Sequence, residues 1–352
     1  MNIIDAKTAL DKVIDKGRVH LYKPIQIAEI LYRDRIENDI NLDDLSTYRT
    51  QSKKWRDIKC IEFLGRTSTS SSRYQDDVFN DNAIPPSVLS RLGEENRAKN
   101  GIVESYIYHK FAMRFSQMSV GLEYCLNNGK DKFKLADFLG LFWREPGLKR
   151  SIDKVYEIVV YALFSALVDV LEISIEVSMN IQKTGILDYF KEFSSKVIML
   201  SADQPSFKTK ARIHRVGVTN ASDRGLDMWA NFGLAIQIKH LSLTEELAER
   251  IVSSVSSDRI VIVCKDTEEK IIVSVLNQIG WKSKIQSVVT ENELIQWYEK
   301  ALRGQFSDLI GDNLLKILID ETQVEFPSTN SDVLKKFMDD RRYEIPEEGI
   351  WG

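Results

Sequence analysis

Asp227, Gln237 and Lys239 bring a carboxylate, an amide oxygen and an ammonium into one short stretch, RGLDMWANFGLAIQIKHL, Arg224 to Leu241. Leu234 to His240 alternate as a strand does, so Ala235, Gln237 and Lys239 share one face, while Leu234, Ile236, Ile238 and His240 take the other. The turn Asn231-Phe232-Gly233 folds the preceding strand back antiparallel, and Asp227 then meets Gln237 and Lys239 at a sheet edge. Hard oxygen donors suit Mg²⁺, and Asp227, Gln237 and the Ile238 backbone carbonyl can supply them. Phosphodiester hydrolysis asks for such a set: a cation to neutralise the phosphate and acidify a water, and a Lys239 ammonium to stabilise developing charge or orient that water. The same residues also fit a half-exposed strand with a polar outer face. His240 points away from Lys239 and reads as structural.

The elements that must position these residues alternate through the second half. Arg212 to Val218, Arg224 to Ala230 and Leu234 to His240 read as strands, and Ser242 to Glu245 is a capping-box pattern opening a helix to about Val255. The strand RIVIVC, Arg259 to Cys264, has no polar alternation after Arg259 and belongs in a sheet interior. A helix from about Glu268 to before Gly280, the strand Ile285 to Val289 and a helix starting at Thr290 to Glu293 complete an α/β domain. Ser151 to Ile181 reads as one long helix, apolar nearly all round between Ile158 and Val168, with Asp169, Glu172 and Glu176 on one face.

The first half is mainly helical. Residues 1 to about 62 hold two or three short helices. The third, Thr50 to Ile61, carries Lys53, Lys54, Arg56 and Lys59, with Trp55 and Ile58 expected on its packed side. Gly65 to Arg73 has no apolar residue and reads as a loop whose arginines, Arg66 and Arg73, could clamp a backbone. The aromatics between Gly101 and Leu148 read as core. The domain boundary is placed near 150, with a helical DNA-gripping region over 1–150 and an α/β catalytic region over 151–352.

Charge supports this division once it is resolved along the chain. The total of 48 bases and 52 acids gives −4, but nine acids and four bases lie from Asp320 onward, leaving the rest near +1. Ser46 to Gln75 holds seven bases and two acids, and Asp203 to Arg215 adds Lys208, Lys210, Arg212 and Arg215. Local basic patches are what phosphate contact requires, whatever the sum. Three isolated cysteines, Cys60, Cys125 and Cys264, fit neither a disulfide framework nor a thiolate zinc site, and no apolar run is long enough for a membrane span. A reducing cytoplasm is the simple reading of these features.

The acid followed by Gln-x-Lys on the next strand resembles the PD-(D/E)xK nuclease superfamily. Leu226 stands where that name has Pro, and Gln237 where Asp or Glu is usual, so the site lacks one negative charge. Val216 to His240 and LYKPIQIAEILYRDRI, Leu21 to Ile36, are similar to the HaeII family of type II restriction endonucleases over most of the chain. The resemblance implies a restriction-endonuclease-like mixed sheet flanked by helices. It also implies Mg²⁺-dependent cutting of both strands of double-stranded DNA at a GC-rich palindrome, RGCGCY, and such a site is most simply read by a twofold homodimer. For the missing carboxylate, Glu176 ranks ahead of Asp223 and Asp203, because similar nucleases often recruit a glutamate from a helix before the sheet. A DNA-binding regulator that does not cleave and a structure-specific repair nuclease are the alternatives.

Overall fold

The computed structural model describes residues 1–17, 20–68, 75–144, 148, 151–216, 226–240, 242–255, 257, 259–266, 271, 274, 284–326 and 331–344. In chain order its main helices are α1 (Ile3–Lys16), α2 (Tyr22–Tyr32), α3 (Gln51–Leu64), α4 (Pro86–Ala98), α5 (Ile102–Asn127), α6 (Leu135–Arg144) and α7 (Ile152–Val170). Strands β1 (Ser174–Ser178), β2 (Ser206–Lys210), β3 (Ile213–Arg215), β4 (Met228–Ala230) and β5 (Leu234–Lys239) follow, then α8 (Glu245–Ser254), β6 (Ile260–Cys264), β7 (Ile285–Thr290), α9 (Glu291–Arg303), α10 (Ser307–Glu325) and α11 (Ser331–Asp340). The fold is the expected α/β class, with a helical N-terminal region and a mixed sheet.

The chain forms two compact units. The first comprises Met1–Val155, Gly217–Ser222 and Leu318–Gly352, and the second Tyr156–Val216 and Asp223–Ile317. The acidic C-terminal segment therefore clusters with the N-terminal helices.

In the first unit, the Asn2 side chain accepts from the Asp5 N–H and starts α1, which buries Ala6, Leu10, Val13 and Ile14 on one stripe. Helix α2 is buried from Pro24 to Leu31, including Gln26 and Glu29. Those two polar groups are satisfied rather than stranded. Arg341 grips Glu29 with both ends of its guanidinium (2.7 and 3.0 Å), and Tyr108 Oη donates to the same carboxylate (2.6 Å). Beside it Glu104 accepts from Arg35, Asn96 and Tyr343. Burial costs the Arg341 charge, but the paired Glu29 carboxylate more than offsets this and its pKa is raised. The aromatics of α5 and α6, among them Tyr108, Phe111, Phe138 and Phe142, are core as expected.

In the second unit, β3-β4-β5-β6-β7 form one sheet, antiparallel from β3 to β5 and parallel from β5 to β7. Strand β6 is buried at all five positions, the interior place expected of RIVIVC. Ala235, Ile260, Ile262 and Cys264 on one face pack with Ala248 and Ile251 of α8. The capping box of α9 forms, with Thr290 and Glu293 bonded reciprocally. That of α8 does not start at Ser242: the cap is Thr244, whose hydroxyl accepts from the Leu247 N–H.

Two expectations fail. The helix Ser151 to Ile181 stops at Val170, because Ser174-Ile-Glu-Val-Ser alternates with β-branched residues and pairs as β1 with β2 in a separate two-stranded sheet. Glu172 turns the chain there with φ of 50°. On α3 the buried stripe is Ser52, Arg56, Cys60, Phe63 and Leu64, while Ile58 is exposed. The expected helix from Glu268 lies mostly outside the described residues.

Candidate active site

The turn predicted at Asn231-Phe232-Gly233 folds β4 onto β5. Gly233 adopts φ of 85°, a conformation open to glycine, and its N–H donates to the Ala230 carbonyl. The register pairs Ala230 with Leu234, Trp229 with Ala235 and Met228 with Ile236. One step further along, Asp227 faces Gln237, so both carry their side chains on the same face as Lys239. The parallel ladder with β6 sets Gln237 beside Ile262 and Lys239 beside Cys264, at the carboxyl end of the central strands.

Asp227 Oδ2 accepts two hydrogen bonds, one from the Gln237 amide and one from the Ile238 N–H at 2.7 Å. Gln237 is 2% exposed, and its Oε1 is buried with no hydrogen-bond partner. The amide orientation follows from electrostatics: turned the other way, Oε1 would face the carboxylate, acceptor against acceptor. The carboxylate and, across the amide nitrogen bonded to it, the stranded amide oxygen are the two kinds of oxygen donor a hard divalent cation takes. Among the described residues no group of three His, Cys, Asp or Glu is placed to hold a metal. The neighbouring Cys264 is not a nucleophile, since burial pushes its thiol up to about 11.

Glu176 does not come from a helix. It sits in β1 opposite Lys208, with their charged atoms 3.9 Å apart. That pair belongs to the turn end of the β4–β5 hairpin, since Asn231 donates to the Lys210 carbonyl, whereas Asp227 lies at the other end. Asp203 is exposed in the turn before β2, and Asp223 lies outside the described residues.

The basic residues divide into two groups. Lys208, Lys210, Arg212 and Lys54 are exposed, with Lys210 bonded to Asp169 at 3.0 Å. Lys53 pairs with Asp76 and Lys59 with Glu62, both near the surface. The other three arginines serve the fold. Arg56 is 1% exposed and bonded to Asp57 and Gln26. Arg66 donates to the Val324 and Glu325 carbonyls at 3.0 Å each, capping the end of α10. The Arg215 side chain is 7% exposed and faces Glu157. Arg73 lies outside the described residues.

Two features escape a reading by alternation alone. Asn231 ties the basic segment to the hairpin: its Oδ1 accepts from the Arg212 N–H (2.8 Å) and its Nδ2 donates to the Lys210 carbonyl (3.0 Å). An Asn at the start of a turn is the available signal. Trp229 stacks on His214 across β3 and β4 with centroids 4.4 Å apart, on the face that bears Asp227. It is 43% exposed.

An acid on one strand facing Gln-x-Lys on the next, at the carboxyl end of a mixed α/β sheet, resembles the site of metal-dependent nucleases that hydrolyse phosphodiesters. The comparisons narrow that class. The chain belongs to the HaeII restriction endonuclease family, which matches residues 6–343. It is 62% identical over 338 residues to the type II restriction enzyme HaeII of Haemophilus aegyptius, covering 96% of each chain. It is 57% identical over 341 residues to the type II restriction enzyme NgoBI of Neisseria gonorrhoeae, covering 97% of each. No solved structure matches it. The chain is thus a restriction endonuclease, an enzyme that cuts DNA at specific sequences. This sets aside the regulator and repair-nuclease alternatives.

Proposed function

We propose that the chain hydrolyses phosphodiester bonds in both strands of a short GC-rich palindrome, RGCGCY, as a homodimer, with Mg²⁺ held by Asp227, Gln237 and the Ile238 carbonyl. The observation that carries the metal assignment is the buried, unpartnered Gln237 Oε1 beside the Asp227 carboxylate. When bound there, Mg²⁺ supplies Lewis acidity and positive charge against the scissile phosphate. The chain's own groups do the positioning. The Ile238 N–H and the Gln237 amide fix the Asp227 carboxylate, and a strand buried on both sides gives that fixture little freedom. Lys239, on the same face, meets the phosphate oxygens and stabilises charge as it develops.

Bases at or near the surface fit the gripping role. Lys208, Lys210 and Arg212 face solvent along one edge of the second unit, and Lys53, Lys54 and Lys59 lie on α3 of the first. The proposed location is the bacterial cytoplasm; among the described residues no helix is long and apolar enough to cross a membrane.

Digestion of a plasmid of known sequence tests the reading. Discrete fragments ending at RGCGCY, abolished by chelation, are expected. Asp227→Ala and Lys239→Ala should lose cutting while still binding that DNA in Ca²⁺. Unchanged cutting in both variants would overturn the site assignment, and fragments ending at another sequence would overturn the specificity.

A further inference from the structure

Between residues 200 and 305, Trp229 is the only exposed large apolar side chain among those described, at 43%. Its ring is held in place. Trp229 lies between its two strand partners, His214 of β3 and Ala235 of β5, and stacks on the half-buried His214 imidazole with the ring planes 23° apart. Asp227 precedes it by two residues, so the indole shares the face of Asp227 and Gln237 and sits about 7 Å along β4 from the carboxylate. Arg212, two residues before His214, takes the same face by alternation and is exposed. Asn231 fixes the Arg212 backbone at both ends, accepting from its N–H and donating to its carbonyl. Along this face follow a cation, a braced aromatic ring and the proposed cleavage site.

We infer that Trp229, braced by His214, packs against the apolar sugar face of a nucleotide adjoining the phosphate cut at Asp227. The inference rests on the cleavage site proposed there. Three observations make DNA the occupant. The chain cuts DNA. The ring stands one row of the sheet from the reacting group, on the same face. A nucleic-acid strand alternates charged phosphate with apolar sugar, and this face answers with the Arg212 guanidinium beside an indole. Stacking on His214 leaves the indole little freedom to lose when a ligand covers it, which favours binding. An aromatic contact releases no counterion, so it holds the strand by shape and sets which phosphate faces Asp227.

Duplex DNA that the parent cuts, titrated in Ca²⁺ at several salt concentrations against full-length parent, Trp229→Ala and Trp229→Phe, tests the contact. Trp229→Ala should bind about 10- to 100-fold more weakly, the loss expected when roughly 100 Å² of aromatic surface is no longer covered. The slope of log K against log[salt] should stay the parent's, and Trp229→Phe should recover most of the affinity. Affinity in Trp229→Ala equal to the parent's, or a slope lowered by about one as for a lost phosphate contact, would overturn the inference. Should Trp229→Ala lose its cooperative melt, tryptophan emission decides. DNA should change the parent's emission, and Trp229→Phe should lack that part of the change; a change of equal size in both proteins, or in neither, would refute the contact. Asp227→Ala should stop cutting and keep the parent's emission response. Cutting that survives Asp227→Ala would overturn the cleavage site, whereas unchanged affinity in Trp229→Ala would overturn the contact alone.

Discussion

Gln237 donates its amide N–H to Asp227 across the β4–β5 pair and leaves its own oxygen buried beside that carboxylate without a partner. Where the related nuclease pattern has a second acid, this chain has a group that bonds its neighbour through one end and offers a neutral oxygen with the other. The arrangement is stable without metal because amide and carboxylate attract; two carboxylates in the same positions would repel.

Gln237→Glu should therefore behave in opposite ways with and without the ion. In chelator its melting temperature at pH 7 is expected to fall below the parent's, since a buried carboxylate meets the half-buried Asp227 carboxylate and the amide donor is lost. Millimolar Mg²⁺ should restore it and stabilise the variant more than the parent. Melts in chelator and in Mg²⁺ check this; equal shifts in both proteins would contradict the ligand assignment.

Lys239→Met keeps the length and apolar stem of the side chain and removes the charge. Cleavage is expected to slow by about 10²–10³-fold, the usual cost of losing one charge-stabilising group. Binding to the same DNA in Ca²⁺ should change much less. Single-turnover cleavage and a filter-binding titration separate the two effects.

Salt dependence should sort the basic residues by exposure. Lys208→Ala and Lys210→Ala are each expected to lower the slope of log K against log[salt] by about one, as loss of one phosphate contact does. Arg56→Ala and Arg66→Ala should leave the slope unchanged, and Arg56→Ala should cost stability of about 1–3 kcal/mol, because it leaves the buried Gln26 amide oxygen without that donor. Urea unfolding and binding at several salt concentrations give both readouts.

Arg341→Met removes the partner of a buried carboxylate. About 3–5 kcal/mol of stability should be lost, much of it from leaving Glu29 charged and unpaired inside the first unit. Adding Glu29→Gln should recover part of the loss, a non-additivity that urea denaturation of the double-mutant cycle measures.

Burial raises the pKa of Glu291, and its Oε2 is buried without a partner. A carboxyl whose folded pKa lies above its unfolded value favours the fold below the unfolded pKa, and that advantage is lost as pH rises through the folded pKa. At pH 7 the ionised group is a liability, so Glu291→Gln should melt higher than the parent at pH 7 and lose its lead at pH 4. A variant with no gain at pH 7 would show that solvent reaches the carboxylate.

Much of the site is legible in the chain because strand geometry is local. A period of two puts Gln237 and Lys239 on one face, an Asn-Phe-Gly turn fixes the register, and register alone brings Asp227 opposite Gln237. The unbroken apolar run of β6 likewise reads directly as an interior strand.

Where alternation gives way to long-range packing, the chain is silent. A basic helix looks alike whether its arginines meet phosphates or their own neighbours, and only the fold shows Arg56 against Gln26, Arg66 on the last carbonyls of α10 and Arg215 against Glu157. The same holds for Glu176, whose helical spacing with Asp169 disappears once the segment finds β2 as a partner. The sequence by itself determined the class and the face of β5 that Gln237 and Lys239 share, since these rest on side-chain type and a two-residue period. Tertiary structure decided which charges stay in water and which become part of the core, because desolvation depends on neighbours distant in the chain that no local pattern records.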